Sequence, residues 1–500
     1  MQKEAEIIAE LREENRYLKQ ELANLKNLFW GKKSERYIPV NPAQETLSFG
    51  EDTVTAILPE LNTKPVPKVR KKPEPGSNIP VRKPIPAHIP RVDTIIEPEG
   101  IDLSKAEKIR DEITEYLDYK PGKIFVKRII RPIYKVTTEQ GEVQFVNAEL
   151  PTQPVAKSNV SSAMMALILV SKYIDHLPIY RQLKQFLREG VDLSESTVNG
   201  WIHKHLKLLE PLYELAKRNI QKSNYLMADE TPMPVLSEDK PGSTHKGYYW
   251  VYLSPVYKSI CFEYDKTRST SPPDLFLKDF SGYLQTDAYG AYDHFSKREG
   301  ITLVGCMVHA RRKFKDALEQ KQKGANEAME IFGELYAIER QARDQQLDYA
   351  NRLELRIEKS IPIMNKLHAW MLAQLQDPEL TPKSLLGKAI TYTLKIWTRL
   401  NEFTKNGMLE IDNNWVENKI RPVALGRRNY MFCGSHEAAQ RAAMMYSLFA
   451  MCSIAEVNPQ DWLTDVFNRI NDHPINKIDE LLPHNWKEIK NNSTEIILAD

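Results

Sequence analysis

A carboxylate in the middle of an apolar strand is the feature that most constrains the fold of this 500-residue chain. Asp229 lies within Leu226–Leu236, a mostly apolar run whose pattern predicts a β-strand. Because a buried strand does not tolerate an unpaired charge, an acid at this position needs a partner or a bound cation. The position therefore predicts an α/β core with Asp229 at a functional site.

Further strand patterns follow along the chain and suggest a particular core. The patterns are, in order, Tyr225–Leu236, Gly247–Leu253, Ser259–Tyr264, a short helix near Pro273–Phe280, Gly282–Thr286 and Thr302–Met307. Three strands, a helix, a strand, a helix and a strand form the order of an RNase H-like α/β core. Helical patterns then occupy 310–400. A final helix over Asn413–Arg421 precedes a glycine-rich loop and a helix over Glu437–Ala455.

Two more acids occupy matching positions in this predicted core. Asp287 closes the strand that begins at Gly282, and Glu417 lies on the final helix. Two divalent cations about 3.5–4 Å apart need hard oxygen ligands of this kind. Taken singly, each acid is better explained as a surface carboxylate or a helix cap. Together, in strand, strand and helix, Asp229, Asp287 and Glu417 are predicted to be catalytic and metal-binding.

Nearby acids are predicted to serve other roles. Glu230 follows Asp229 on the strand and therefore points to the opposite face. Asp412 heads the final helix, where it is expected to act as the N-cap, and Asp293 is expected to be exposed. Cys306 and His309 form a CxxH pair without a second pair nearby, so they are expected to support the active site rather than bind zinc.

The N-terminal part shows two different patterns. Apolar residues from Ile8 to Phe29 alternate steps of three and four, with Asn15 at an a position, which is typical of a parallel dimeric coiled coil. The alternative is an amphipathic helix packed on its own domain. Prolines interleaved with lysines and arginines follow between Lys64 and Arg91 and indicate an extended linker. Such an arm can track a DNA backbone or serve only as a spacer.

A β-rich segment is followed by helices. Residues 92–150 are interpreted as a small α+β module, and helices are predicted over about 158–222. Within them, Gly190–Trp201 resembles the turn and second helix of a helix-turn-helix, with Ser194 as N-cap and Val198 and Trp201 facing inward. The alternative is a plain helical hairpin.

Charge and cysteine content narrow the partners and the compartment. The net charge is only +2, but basic residues cluster locally, which suits a protein that meets phosphate along chosen surfaces. The candidate DNA contacts are Lys71, Lys72, Arg311, Arg312, Lys419, Arg421, Arg427 and Arg428.

Four cysteines without paired spacing predict neither a disulfide framework nor structural zinc. The absence of a long apolar run and of a signal peptide favours the cytoplasm, with no membrane partner.

At these residues the sequence resembles the insertion sequence 66 family of bacterial DDE transposases. The resemblance covers nearly the whole chain. It includes Phe29–Arg36, Lys172–Arg181, Ala228–Thr231, Thr286–Gly290, Gly305–Phe314, Asp412–Glu417, Arg421-Pro422, Gly426–Phe432 and a C-terminal segment around Trp462–Trp486.

The resemblance implies that Asp229, Asp287 and Glu417 are the catalytic acids. It also implies two Mg²⁺ (or Mn²⁺) ions, an RNase H-like core with a helical insertion between the second Asp and the Glu, and DNA as partner. That DNA comprises the terminal inverted repeats and the target, bound by a homodimer or a higher synaptic assembly on the bacterial nucleoid. Accessory proteins of the same element are further partners that the resemblance suggests. Family members often carry a zinc module with two CxxC pairs; residues 92–150 contain no cysteine.

A multidomain α+β protein is therefore expected. Its predicted parts are a coiled-coil dimerisation helix (1–36), a Pro/Lys/Arg-rich linker (37–91), a small α+β module (92–157), a helix-turn-helix-like DNA-binding region (158–222), the first part of the core (223–310), a helical insertion (311–400), the last core helices with Glu417 (401–455) and a C-terminal element (456–500). The alternatives to an active transposase are a catalytically inactive protein that binds transposon ends and an RNase H-like nuclease or resolvase.

Overall fold

The computed structural model describes residues 124–137, 143–148, 152–156, 158–237 and 242–499, together with Gly122 and Lys240. The predicted coiled coil and the linker, with Lys71 and Lys72, lie outside the described residues. The chain divides into two units, one of them Thr46–Ile130 and the other Met1–Glu45 with Arg131–Asp500. Every helix and strand described here belongs to the unit that contains Arg131–Asp500.

A hairpin and three helices precede the central sheet. Strands β1 (Ile133–Thr137) and β2 (Val143–Asn147) are antiparallel. Three helices follow, α1 (Ser162–Tyr173), α2 (Ile179–Arg188) and α3 (Glu195–Gln221). Ser194 caps α3 as predicted, because its side chain accepts the backbone N–H of Thr197 at 3.2 Å. Val198 is buried, whereas Trp201 is only half-buried.

The central sheet has five strands, β3 (Tyr225–Leu236), β4 (Thr244–Ser254), β5 (Ser259–Asp265), β6 (Gly282–Gln285) and β7 (Ile301–Val304). Their order across the sheet is β5-β4-β3-β6-β7. β3, β4 and β5 pair antiparallel, whereas β6 and β7 run parallel to β3. The short helix α4 (Ser271–Phe276) and a 3₁₀ segment (Gly290–Lys297) lie in the connections. The predicted sequence of strands and the short helix is therefore present.

The last strand is shorter than predicted. β7 ends at Val304, and Met307 already begins the helix α5 (Met307–Glu319). The backbone N–H of Gly305 bonds to the carbonyl of Arg399 at 2.8 Å, and that of Met307 bonds to Ile411 at 3.1 Å. The chain leaves the sheet because these two donors find partners elsewhere, which an apolar pattern alone does not reveal.

Helices fill the chain between the sheet and its last segment. After α5 come α6 (Ala325–Asp344), α7 (Tyr349–Leu355), a π-helical turn (Arg356–Ser360), α8 (Ile361–Leu375), α9 (Leu385–Lys395) and α10 (Trp397–Asn401). The predicted helical stretch is thus present. The C-terminal part contains α11 (Asn414–Tyr430), α12 (His436–Ala455), α13 (Pro459–Arg469) and α14 (Pro483–Ala499).

Helix α11 is longer than the sequence pattern suggested. The predicted glycine-rich loop after Arg421 is wrong, because Gly426 lies inside the helix. A Cβ at Gly426 would come within 2.7 Å of the Tyr430 ring, so this glycine serves close packing rather than a turn. The helix ends instead at Tyr430, and the next residue, Met431, adopts a positive φ of 63°.

The two faces of the sheet carry separate apolar cores. Tyr225 and Met227 of β3 pack into the larger core, whereas Leu226 and Ala228 pack into the smaller one. Since side chains alternate along a strand, Asp229 falls on the first face and Glu230 on the second, as predicted. Among the described residues, none of the helices has the length and apolar character needed to span a bilayer.

Candidate active site

Asp229 and Asp287 occupy equivalent positions on neighbouring parallel strands. Met227 of β3 pairs with Gln285 of β6, and each acid follows two residues later. Asp287 lies just beyond the carboxyl end of β6, whereas β3 continues past Asp229 to Leu236, so both acids lie where the pairing of these two strands ends. Two acids far apart in sequence are thereby brought together by the register of the sheet.

Glu417 lies in the first turn of α11, which is fastened to β3. The side-chain amide of Asn413 donates to the carbonyl of Ala228 at 3.1 Å, one residue before Asp229. The backbone N–H of Asn413 donates to the Sγ of Cys306 at 3.2 Å. The start of α11 is therefore tied both to β3 and to the start of α5. We refer to Asp229, Asp287 and Glu417 as the carboxylate cluster.

Asp229 and Asp287 are buried acids whose charged forms are disfavoured by their surroundings. Burial raises the pKa of Asp229 well above its ordinary value, and the charges of Glu230, Asp287 and Glu417 raise it further. Burial also raises the pKa of Asp287, although the N–H of Tyr289 and the charge of Arg268 oppose that rise. Like charges gathered in a poorly solvated site favour protonation unless a cation neutralises them.

Asp229, Asp287 and Glu417 offer the oxygen ligands that a hard divalent cation needs, although their ligand atoms do not form a group within 4.8 Å of one another as those of Cys306, His309 and Glu417 do. Carboxylate oxygens are the ligands that Mg²⁺ and Mn²⁺ prefer. The Oε1 atom of Glu417 is buried and accepts no hydrogen bond within the described part of the chain. A buried carboxylate oxygen without a donor is costly, and a bound cation would satisfy it.

A second group of ligand-type atoms adjoins Glu417. Ligand atoms of Cys306, His309 and Glu417 all lie within 4.8 Å of one another. The Nδ1 of His309 is 3.8 Å from the Oε1 of Glu417, and an Nη2 of Arg312 is 3.5 Å from its Oε2. Burial lowers the pKa of His309, while the charge of Glu417 opposes this. The structure thus places both Cys306 and His309 beside the acid that they were expected to support.

The neighbouring acids occupy distinct environments. Asp412 is buried, accepts the hydroxyl of Tyr336 at 3.0 Å and the N–H of Asn414 at 3.1 Å, and has a pKa raised by burial to about 6. Asn413, not Asp412, directly precedes the helix, so the predicted N-cap is off by one residue. Asp293 is 45% exposed and pairs with Arg399 at 2.7 Å, so the expectation of a simply exposed acid is only partly met.

Several predicted DNA contacts point inward instead of forming one patch. Lys419 donates to the Oγ of Ser453 at 2.8 Å, and burial lowers its pKa. Arg427 donates to Thr231 and to the carbonyl of Pro232 on β3. Arg421 is half-buried, whereas Arg428 is exposed.

The remaining two candidates lie on α5. The guanidinium of Arg311 sits 5.7 Å from the centre of the Tyr336 ring, and Arg312 faces Glu417. Of these basic residues, Arg312 donates to Glu417 of the carboxylate cluster at 3.5 Å. The others are spread over α5 and along α11.

Sequence reasoning missed Arg268, Asn413 and Tyr289. Arg268 lies in the loop after β5, where no periodic pattern marks it. Asn413 and Tyr289 each neighbour a predicted acid, yet only the fold shows that they donate to Ala228 and to Asp287. Their proximity to acidic motifs was the one available signal.

Comparison with known proteins identifies related sequences. The family profile described as "Transposase IS66 family" matches residues 157–441, and "IS66 C-terminal element" matches 447–484. A third profile, "Transposase C of IS166 homeodomain", matches 17–94.

Full-length relatives occur in Sinorhizobium fredii. Its uncharacterized protein y4jD is 33% identical over 502 residues, covering 94% of each chain. Its uncharacterized protein y4qI is 33% identical over 482 residues, covering 91% of this chain and 86% of the relative. Its uncharacterized protein y4hP is 31% identical over 465 residues, with 87% and 81% covered.

Proposed function

The chain belongs to the IS66 transposase family, and from that membership we propose that it cleaves DNA at insertion-sequence ends and joins those ends to target DNA. The observation that carries the proposal is that paired strands place Asp229 and Asp287 at matching positions, while the helix of Glu417 is bonded to β3 through Asn413 and Ala228. Acids in this arrangement suit metal-dependent phosphodiester chemistry, which needs no covalent protein intermediate.

We further propose that the five-stranded sheet is an RNase H-like core. Three antiparallel strands followed by two parallel ones, with one acid inside the first strand and one just after the fourth, support this assignment. Helices α5 to α10 lie between Asp287 and Glu417 in sequence, which is where an insertion into such a core belongs. The domain boundaries predicted from the sequence are part of this proposal.

The carboxylate cluster would hold two Mg²⁺ or Mn²⁺ ions, with structural zinc not part of the proposal. When bound, these ions supply Lewis-acid activation of the attacking oxygen and stabilisation of the leaving 3′ oxygen. The protein's own contribution is to fix the ligands in place. The N–H of Tyr289 donates to the Oδ1 of Asp287 at 2.9 Å, and His309 and Arg312 flank the two oxygens of Glu417. Ligands oriented in this way need little rearrangement on binding.

DNA is the proposed macromolecular partner, both as terminal inverted repeats and as target. The family assignment implies DNA binding, and the capped helix α3 after α2 suits a helix that enters a major groove. Arg312 beside Glu417 and the exposed Arg428 are the described candidates for phosphate contacts. A homodimer or larger assembly that brings two ends together at the bacterial nucleoid, with accessory proteins of the element as further partners, completes the proposal.

Cleavage and joining of DNA that carries the element's terminal repeats, with and without Mg²⁺, test the function. Asp229→Asn, Asp287→Asn and Glu417→Gln should each lower the cleavage rate by about 10³-fold or more, because each removes an anionic metal ligand. End binding, measured by gel shift, should change little. Asp293→Asn is the matched control, since it removes a carboxylate that instead pairs with Arg399.

The outcomes separate the three functional classes. Wild-type protein that binds the terminal repeats but never nicks them would be an inactive end-binding protein. Cleavage of branched or arbitrary DNA without joining would indicate a nuclease or resolvase. Asp293→Asn as damaging as the other three substitutions would mean that the carboxylate cluster has no special role.

A further inference from the structure

Glu230 is a buried acid that the proposed chemistry does not use. Its side chain is only 3% exposed and lies on the face of β3 opposite Asp229. Burial and the charge of Asp287 raise its pKa to about 7, although Arg268 opposes the shift. A carboxylate buried beside other acids destabilises the fold unless a cation or hydrogen bonds compensate it. Its contacts lead to Arg268.

Glu230 fixes the guanidinium of Arg268 with two hydrogen bonds. The Nε and Nη2 atoms of Arg268 lie 3.0 Å and 2.5 Å from the Oε1 of Glu230. The guanidinium also stacks on Tyr289, 3.8 Å from the ring centre. The Tyr289 hydroxyl donates to the backbone carbonyl of Arg268 at 2.8 Å. Although Arg268 lies on a loop, these contacts fix the position of its side chain.

The same contacts connect Arg268 to the carboxylate cluster. Tyr289, on which Arg268 stacks, donates its backbone N–H to Asp287. The charge of Arg268 also acts on Asp287 and opposes the rise of its pKa. The guanidinium of Arg268 is therefore close enough to Asp287 to act on its charge, while Glu230 and Tyr289 hold it in place.

Arg268 keeps donors available on its outer side. Its side chain is 44% exposed even though Glu230 takes the Nε hydrogen and one Nη2 hydrogen. The Nη1 hydrogens have no partner among the described residues. A planar fork with free N–H groups binds phosphate oxygens well, and fixing it beforehand reduces the entropy lost on binding.

We infer that Arg268 binds a backbone phosphate of the DNA strand at or next to the bond that is cleaved. The inference deepens the proposed function and rests on it, since it names how the same site grips its substrate. Glu230 and Tyr289 are positioning residues that act through Arg268. Contact with phosphate, without base reading, sets where the strand lies and carries no sequence preference.

The test measures binding of terminal-repeat DNA to protein that also carries Glu417→Gln, in Mg²⁺, so that the DNA stays intact. Arg268→Gln should weaken binding on the order of tenfold, as expected for a lost hydrogen bond to a charged group. The slope of log affinity against log salt should become shallower by about 0.9, the value for one phosphate contact. Lys278→Gln, an exposed cation in the loop after α4, is the control for charge alone.

Neutral methylphosphonate linkages locate the contact. Each linkage is placed singly, at or around the cleavage position. At one of these positions the linkage should lower the affinity of the wild-type protein for the DNA but should not lower that of Arg268→Gln any further. Glu230→Gln keeps the guanidinium but loosens it, so it should slow cleavage in the otherwise wild-type protein while leaving the salt slope unchanged. Arg268→Lys should restore the salt slope but only part of the cleavage rate. Thermal unfolding of each variant controls for misfolding.

Two results would overturn the inference in distinguishable ways. If Arg268→Gln cleaves poorly yet keeps the wild-type affinity, salt slope and methylphosphonate pattern, Arg268 only neutralises the neighbouring acids and the phosphate contact is wrong. If the wild-type protein cleaves normally and Arg268→Gln binds and cleaves in the same way, the phosphate contact is wrong and the proposed function still holds. Wild-type protein that neither binds nor cleaves the repeats rejects both together.

Discussion

Two regions of the molecule bury charged side chains in opposite ways. In the helical segment, Arg352 and Arg356 bind Glu339 and Glu410, a set we call the insertion network. Its cations and anions balance, and Arg356 is fully buried. In the carboxylate cluster, Asp229, Asp287 and Glu417 gather beside Glu230 with fewer cations. A balanced set is complete within the chain, whereas an unbalanced one calls for a cation from outside.

The pKa values of the acids follow this difference. Burial raises the pKa of Glu339, but the hydrogen bonds and charges of Arg356 and Arg352 outweigh it, so the pKa is lowered. For Asp229, burial and its acidic neighbours act in the same direction and raise the pKa. Burial by itself therefore does not mark a functional acid. What distinguishes Asp229 is burial without compensation, which is how active sites store unfavourable energy.

Breaking the balance of the insertion network should give the largest loss of stability. Arg356→Met leaves Glu339 without two of its hydrogen bonds and frees the carbonyls of Phe403 and Asn406. We expect the free energy of unfolding to fall by about 3–5 kcal/mol, the usual cost of an uncompensated buried charge. Denaturant unfolding measures it. A loss below that of an exposed pair such as Lys366–Glu334 would show that the network does not matter to stability.

Adding a divalent cation should stabilise the protein and change how its stability depends on pH. Groups with raised folded pKa values stabilise the fold at low pH and lose that contribution as the pH rises through the folded value. Glu230 shifts from 4.5 to about 7, so metal-free stability should decline across that range, with Asp229 adding to the decline.

Mg²⁺ at about 100 times its Kd should add roughly 2.7 kcal/mol at neutral pH and flatten the decline. Tm measured against pH, with Mg²⁺ and with a chelator, is the readout. The matched variant is Asp229→Asn with Asp287→Asn, which should abolish the Mg²⁺ effect. A wild-type Tm that does not respond to Mg²⁺ or Mn²⁺ would contradict a metal site here.

Removing one acid from the carboxylate cluster should produce the smallest change in the free energy of unfolding. The change should be a gain, whereas Arg356→Met causes a loss. Asp229→Asn replaces a poorly compensated buried charge by an amide of the same size. We expect metal-free protein to gain about 0.5–2 kcal/mol while losing cleavage, the usual trade-off at active sites. Unfolding with chelator present tests this at neutral pH. A loss of stability there would mean that Asp229 is already compensated within the chain.

Much of the sheet and two of its acids could be predicted from the sequence. Alternation and apolar runs predicted β3 with the bounds that are observed. They also marked Asp229 and Asp287 as acids at predicted strand positions. Local patterns failed where tertiary contacts decided the outcome. β7 ends early because Gly305 bonds to Arg399, and Gly426 lies inside α11, where it leaves room for the Tyr430 ring.

The amino-acid sequence by itself predicted which acids carry the proposed chemistry, because a carboxylate in an apolar strand conflicts with its surroundings and can be recognised locally. It also determined the family, through motifs spread along nearly the whole chain. Only the tertiary structure decided what holds those acids. Asn413 reaches Ala228 and Arg268 reaches Glu230 across 185 and 38 residues. Such contacts depend on strand register and loop placement, and neither leaves a periodic trace in the sequence.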